Sequence, residues 1–129
     1  METMTTDPLN WTAVIVGTIA AFLFGWLYYS PKMLGKTWAL GSRISPEPPE
    51  TMPWMAMILQ LIALFVLALV VGMTAQTHAL TTAIVAILAG ATLVMAQDAF
   101  SQKSTAAIMI DGGFVVFAGA IMIVCQGVF

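Results

Sequence analysis

Four long runs of apolar residues, Trp11–Tyr29, Trp54–Met73, Leu80–Gln97 and Ala106–Gly127, alternate with short polar breaks along the chain. A helix needs ~20 apolar residues to cross a hydrocarbon core of ~30 Å, and each run approaches or reaches that length. The pattern predicts an all-α membrane protein: one domain over residues 1–129, with four transmembrane helices in an antiparallel bundle. The segment Ser30–Leu40 holds Pro31 and Gly35 and predicts a turn and a short interfacial segment after the first span. Ser45–Glu50, with Pro53 behind it, reads as a stiff, extended connection into the second span.

Composition excludes the soluble alternatives. Hydrophobic residues make up 60% of the chain and charged residues 8%, with a mean hydropathy of +0.98. A water-facing domain carries about 25% charged residues, so this supply cannot cover one. A net charge of −2 gives no reason to expect a nucleic-acid partner, and the single Cys125 allows no internal disulfide. Met1–Asn10 carries Glu2 and Asp7 instead of a basic leader, and the run that follows is too long for a signal sequence. The first span is therefore expected to stay in the membrane.

The basic residues thread the chain. Lys32, Lys36 and Arg43 lie between the first and second spans and Lys103 between the third and fourth, while the other loops and both termini have none. By the positive-inside rule the basic loops are cytoplasmic and both termini lie outside. Trp11, Tyr28, Tyr29, Trp54 and Phe129 stand at span ends, where aromatic rings favour the headgroup layer.

Residue size sorts the helix faces. Ala13, Gly17, Ala21 and Gly25 recur at every fourth position of the first span. Small residues so spaced let backbones approach closely in lipid, where packing drives association; the spacing does not name the partner. On the fourth span Ala107, Asp111, Ala118 and Cys125 share one face, opposite Met109, Val116, Phe117 and Ile123. On the second, Ala56, Gln60, Ala63 and Leu67 form the expected packing side and Ile58, Ile62, Phe65 and Leu69 the lipid side. Ala83, Ala86 and Gly90 are the close-packing set of the third.

Asp111 is the one ionisable residue well inside a span, about 9 Å from its cytoplasmic start at ~1.5 Å per residue. An acid so placed costs at least ~2.5–3.5 kcal/mol and by default suggests function. Gln60 stands equally far past Trp54, on a span that starts from the same side. Asp98, Tyr28 and Tyr29 end their spans there too, so an intramembrane polar cluster of Asp111, Gln60, Asp98, Tyr28 and Tyr29 is expected. Its leading use is hydrogen-bonded glue between helices; proton or substrate handling and a frayed, wet Asp111 are the alternatives. Asp98 with Lys103 reads as a solvated loop pair. Catalytic and metal-ligating motifs are absent: His78 is alone, the ten methionines form no Met-x-x-Met series and Cys125 has no activating neighbour. No cofactor or metal is expected, and an enzyme reading has little to stand on.

The first polar turn is the most specific stretch: Gly25-Trp-Leu-Tyr-Tyr-Ser-Pro31, then Leu34-Gly35-Lys36-Thr37-Trp38. Together with Asn10-Trp11 and with Asp111-Gly112-Gly113-Phe114, it resembles the bacterial integral-membrane "domain of unknown function 1761" family. The resemblance implies four spans and a bacterial inner-membrane location, and supplies no activity. Tyr28 stands where that family usually has Trp, Leu34 where it has Phe, and Asp111 where Asn is expected. Hydrogen bonding, and not ionisation, is then the shared need at position 111. Ser30, Pro31, Gly35, Lys36 and Trp38 form the interfacial hairpin, with Lys36 and Trp38 suited to anionic lipid.

Three functions follow as expectations. The favoured one is a small membrane protein acting by helix packing, as a homo-oligomer or an accessory subunit of a membrane complex. The second is a minimal proton-coupled transporter or channel using Asp111 and Gln60. The third is a lipid-binding protein or membrane enzyme working at the Tyr28–Trp38 hairpin. Expected partners are membrane lipid and either a second copy or another membrane protein.

Overall fold

The computed structural model describes residues 8–30, 32–44 and 53–129. Helix α1 runs Trp11–Tyr28, α2 Gly35–Gly41, α3 Trp54–Gln76, α4 Leu80–Phe100 and α5 Thr105–Val128, with no strand among the described residues. All but α2 are long and apolar enough to cross a bilayer, which makes this a multi-pass membrane protein. Successive spans alternate in direction. Gly72, late in α3, lies against Leu9 and Val14 at the start of α1, and Tyr28 at the end of α1 reaches Ile110 near the start of α5. Pro31 and the Ser45–Glu50 connection lie outside the described residues.

Side chains start two of the spans. Asn10 accepts the N–H of Ala13 at 3.1 Å to cap α1, and Ser104 accepts that of Ala107 at 3.1 Å to cap α5. Three helices stop by one shared device. The residue after the C-cap turns left-handed (Arg43 at φ 62°, His78 at 54°, Gln102 at 60°). The next N–H then reaches back into the last turn: Ile44 to the Ala39 carbonyl at 3.0 Å, Ala79 to Thr74 at 2.8 Å and Lys103 to Asp98 at 3.0 Å. Glycine usually marks this stop and none is present, so α3 outruns the expected Met73 and α4 outruns Gln97. Asp98 therefore belongs to α4 and not to a loop, and Lys103 is folded back over the turn that carries it.

Helix α5 is the centre of the bundle and touches the other four. Its buried stripe includes Ala107, Asp111, Phe114, Ala118, Met122 and Cys125, while Met109, Val116 and Phe117 are exposed. Ile123, placed with the lipid-facing set by sequence, packs partly against the core. Ala13, Gly17 and Ala21 of α1 are buried and Gly25 is half-buried. Gly17 faces Met122 and Cys125, and Gly25 faces Phe114, so the partner of the small-residue stripe is α5.

The face of α3 differs from expectation. Its buried residues are Leu64, Ala68, Val71 and Gly72, while Ala56 and Ala63 are exposed. Phe65 and Leu69, expected toward lipid, pack on the core. The buried positions begin only at Leu64, so the small residues Ala56 and Ala63 ahead of it stay exposed. On α4 the inward stripe is Ala83, Ile87, Ala91 and Asp98, with Ala86 and Gly90 only half-buried.

Helix α4 comes close to α5 at Gly119, where an added Cβ would sit 2.6 Å from Cγ1 and 2.7 Å from Cγ2 of Ile87. Those atoms are next to a branched Cβ and cannot swing aside. Gly119→Ala should destabilise the bundle by about 1–3 kcal/mol. At Gly90 the nearest atom is Cγ1 of Val115 at 3.6 Å, ordinary contact; Gly90→Ala should be neutral or stabilise by up to ~1 kcal/mol. Unfolding titrations in mixed micelles measure both.

Candidate functional site

Two consecutive tyrosines end α1, and both turn inward. The Tyr28 hydroxyl donates to the Ile110 carbonyl at 2.7 Å, and the Tyr29 hydroxyl donates to Oδ1 of Asp111 at 2.6 Å. Neighbouring residues of one helix thus hold neighbouring residues of another. A headgroup role for Tyr28 is corrected by its burial at 6% exposure. Burial holds the Tyr29 phenol well above its ordinary pKa, and the hydrogen bond to Asp111 pushes the same way. It stays protonated and remains a donor.

The other oxygen of Asp111 faces Lys103. Nζ of Lys103 lies 3.4 Å from Oδ2 of Asp111 and 3.4 Å from Oδ1 of Asp98. The left-handed turn at Gln102 places it there, because the Lys103 N–H is bonded to the Asp98 carbonyl. Asp98 and Asp111 are 7% and 8% exposed, so the solvated loop pair expected from sequence is a buried ion cluster instead. Trp38 of α2 forms its wall: Nζ of Lys103 sits 5.4 Å from the indole centroid, and the Tyr29 ring meets that indole edge-on at 5.3 Å.

Not every expected member joins. Gln60 is half-buried, and no hydrogen bond links it to Asp111, which is held by Tyr29 and Lys103. Gln60 stands in the stretch of α3 before Leu64, where no residue is fully buried. Lys36 is exposed, Ser30 is half-buried and Pro31 lies outside the described residues. Gly35 holds the hairpin tight, since a Cβ there would meet the Ser30 carbonyl oxygen at 2.7 Å. Around this end, Ser30 Oγ, Trp38 Nε1, Ser42 Oγ and Asp98 Oδ2 are buried without a hydrogen-bond partner. No group of three or more metal-ligating side chains occurs among the described residues.

Sequence reasoning missed Lys103 as a member of the cluster. It also missed an open cavity of about 470 Å³ at the opposite end, bordered by Asn10, Thr74, Gln76, His78 and Gln126. The signal for that cavity was the recurrence of amides at span ends on the side lacking basic residues.

The cluster can bind helices and hold charge. If it is glue, Tyr29→Phe strands a carboxylate oxygen and should cost about 1–3 kcal/mol. Asp111→Asn should retain most of the stability that Asp111→Leu loses. A double-mutant cycle between Tyr29 and Asp111, read by unfolding in bilayers or mixed micelles, should give a coupling energy well above zero; additive losses contradict direct contact.

No curated protein and no solved structure matches the chain. A family model described as "Protein of unknown function (DUF1761)" matches residues 12–127, which take in the hairpin, both acids and all four spans. The chain belongs to the DUF1761 family.

Proposed function

We propose that this protein works through helix packing, as a homo-oligomer in the bacterial inner membrane. Self-association is through the outer face of α4. The observation that carries this reading is the composition of that face. Thr82, Val85, Ala89, Thr92, Ala96 and Ala99 follow one another at alternating three- and four-residue steps, and all are exposed. Helix α4 is also the least buried of the four spans. A helix side meant only for lipid gains nothing from small residues, whereas backbones that approach a partner require them. The Thr92 hydroxyl is satisfied by the Leu88 carbonyl at 2.7 Å, so it does not stand in the way of a dry contact. The three-and-four spacing suits a left-handed crossing of ~20° between two copies.

The threading belongs to the same reading. Arg43 Nη2 donates to the Gln102 carbonyl at 3.0 Å, so the two basic loops share one end of the bundle. That supports a cytoplasmic location for both loops and an outer location for both termini.

Cysteine cross-linking in native membranes tests the face. Ala89→Cys and Ala96→Cys should form disulfide-linked pairs, and exposed Val66→Cys on α3 should not. Ala89→Phe should weaken dimerisation about tenfold, ~1.4 kcal/mol. Equal cross-linking from α3 and α4 removes the assignment. A reporter enzyme that is active only outside the cytoplasm should be active when fused after Phe129 and silent when inserted beside Lys103.

A further inference from the structure

We propose that α2, with the turn on each side of it, holds an anionic phospholipid against the basic end of the bundle. Lys32, Lys36 and Arg43 take the headgroup phosphate, and Met33, Leu40 and Ile44 enter the boundary between headgroups and acyl chains. This is independent of how copies associate through α4.

The first ground is the division of α2 into two sides. Gly35 and Ala39 are buried and Trp38 and Ser42 half-buried, so that side is spent on the bundle. Its anchor is the start of α5: the Ser104 N–H donates to the Gly41 carbonyl at 3.0 Å, and a Cβ on Gly41 would meet that of Ala107 at 2.8 Å. Met33, Leu40 and Ile44 are left uncovered, Leu40 at 73% exposure. Large apolar side chains at a membrane end gain by entering lipid, and basic neighbours then meet the headgroups.

The second ground is level. Trp26 near the end of α1 and Trp54 at the start of α3 are both exposed at this end. Indoles so placed mark the headgroup layer. The Gly41–Ser104 contact sets α2 beside the first turn of α5, at that layer.

The third ground is charge. Asp98 and Asp111 are the only acids among the described residues, and both face Lys103. Lys32 and Lys36 are exposed, and among the described residues no carboxylate pairs with them. Glu47 and Glu50 lie outside the described residues. Arg43 is also exposed; the Gln102 carbonyl takes one of its donors and leaves the rest of the guanidinium fork open. A basic residue at an anionic membrane surface strengthens attachment about fivefold. A neutral lipid would satisfy the apolar side chains alone, and a soluble anion the cations alone. An anionic phospholipid satisfies both.

The test sets an environment-sensitive fluorophore on α2, by Thr37→Cys in a Cys125→Ala chain. Thr37 is exposed, and Cys125 is the one native cysteine. The full chain is placed in phosphatidylcholine vesicles that contain rising fractions of a brominated lipid, whose bromines quench on contact. Brominated phosphatidylglycerol should quench at about a fivefold lower fraction than brominated phosphatidylcholine. The same label at exposed Val66, in the middle of α3, should be quenched equally by both. Lys32→Gln combined with Lys36→Gln should bring the two lipids to within about twofold of each other at position 37. Equal quenching in the parent overturns the headgroup assignment, and a preference that survives both substitutions overturns the role of the lysines. Quenching by neither lipid would mean that water or another protein covers α2, and overturns the site. Loss of the preference on adding millimolar inorganic phosphate, at constant ionic strength, would reveal a soluble-anion site and overturn the lipid one.

Discussion

The Asp111 carboxylate, gripped by the Tyr29 hydroxyl on one oxygen and faced by the Lys103 ammonium on the other, is the contact on which the basic end of this bundle depends. A bilayer offers no water to satisfy a buried polar group, so each must find a partner inside the protein. For Asp111 those partners come from the end of α1 and from the turn after α4. One side chain thereby gathers three segments that are distant in sequence. Because Asp111 lies on α5, that helix becomes the one the others surround.

Away from the cluster, the bundle is held by fit. Gly25 lets α5 approach α1 against Phe114, and Gly119 lets α4 approach α5 against Ile87. Nearer the basic end Tyr28, Phe24, Phe114 and Phe117 form an aromatic block with ring centroids 5.5–6.4 Å apart. Packing of this kind is short-ranged and sensitive to single methyl groups, as protein interiors are. The two regimes are spatially ordered: polar latches at the basic end, small-residue contacts through the middle, and an open, largely apolar cavity bordered by Asn10, Gln76 and Gln126 at the far end.

Most of the architecture was legible in the sequence. Apolar run length identified the four spans, and residue size found the inward faces of α1 and α5. The errors at the helix ends share a cause. The helix stops at His78 and Gln102 use left-handed residues other than glycine, so nothing in the sequence marked them. Misplacing the end of α4 put Asp98 in a loop and left Lys103 in water. The face of α3 failed for another reason. Small residues at Ala56 and Ala63 look like packing positions, but only tertiary geometry decides which half of a helix meets its neighbours. The site was thus legible in part: depth and span position named Asp111, Asp98 and the tyrosines, whereas the place of Lys103 between the two acids needed the turn geometry.

One lysine at the basic end of the bundle is clasped by two buried acids from different helices. Solid-state NMR of the full chain in lipid bilayers tests it directly, by magnetisation transfer from the lysine Nζ nitrogen to aspartate carboxyl carbons. At the 3.4 Å nitrogen–oxygen separations seen here, Lys103 should show transfer to both Asp98 and Asp111. Transfer to neither acid, or to Asp98 alone, would contradict the account.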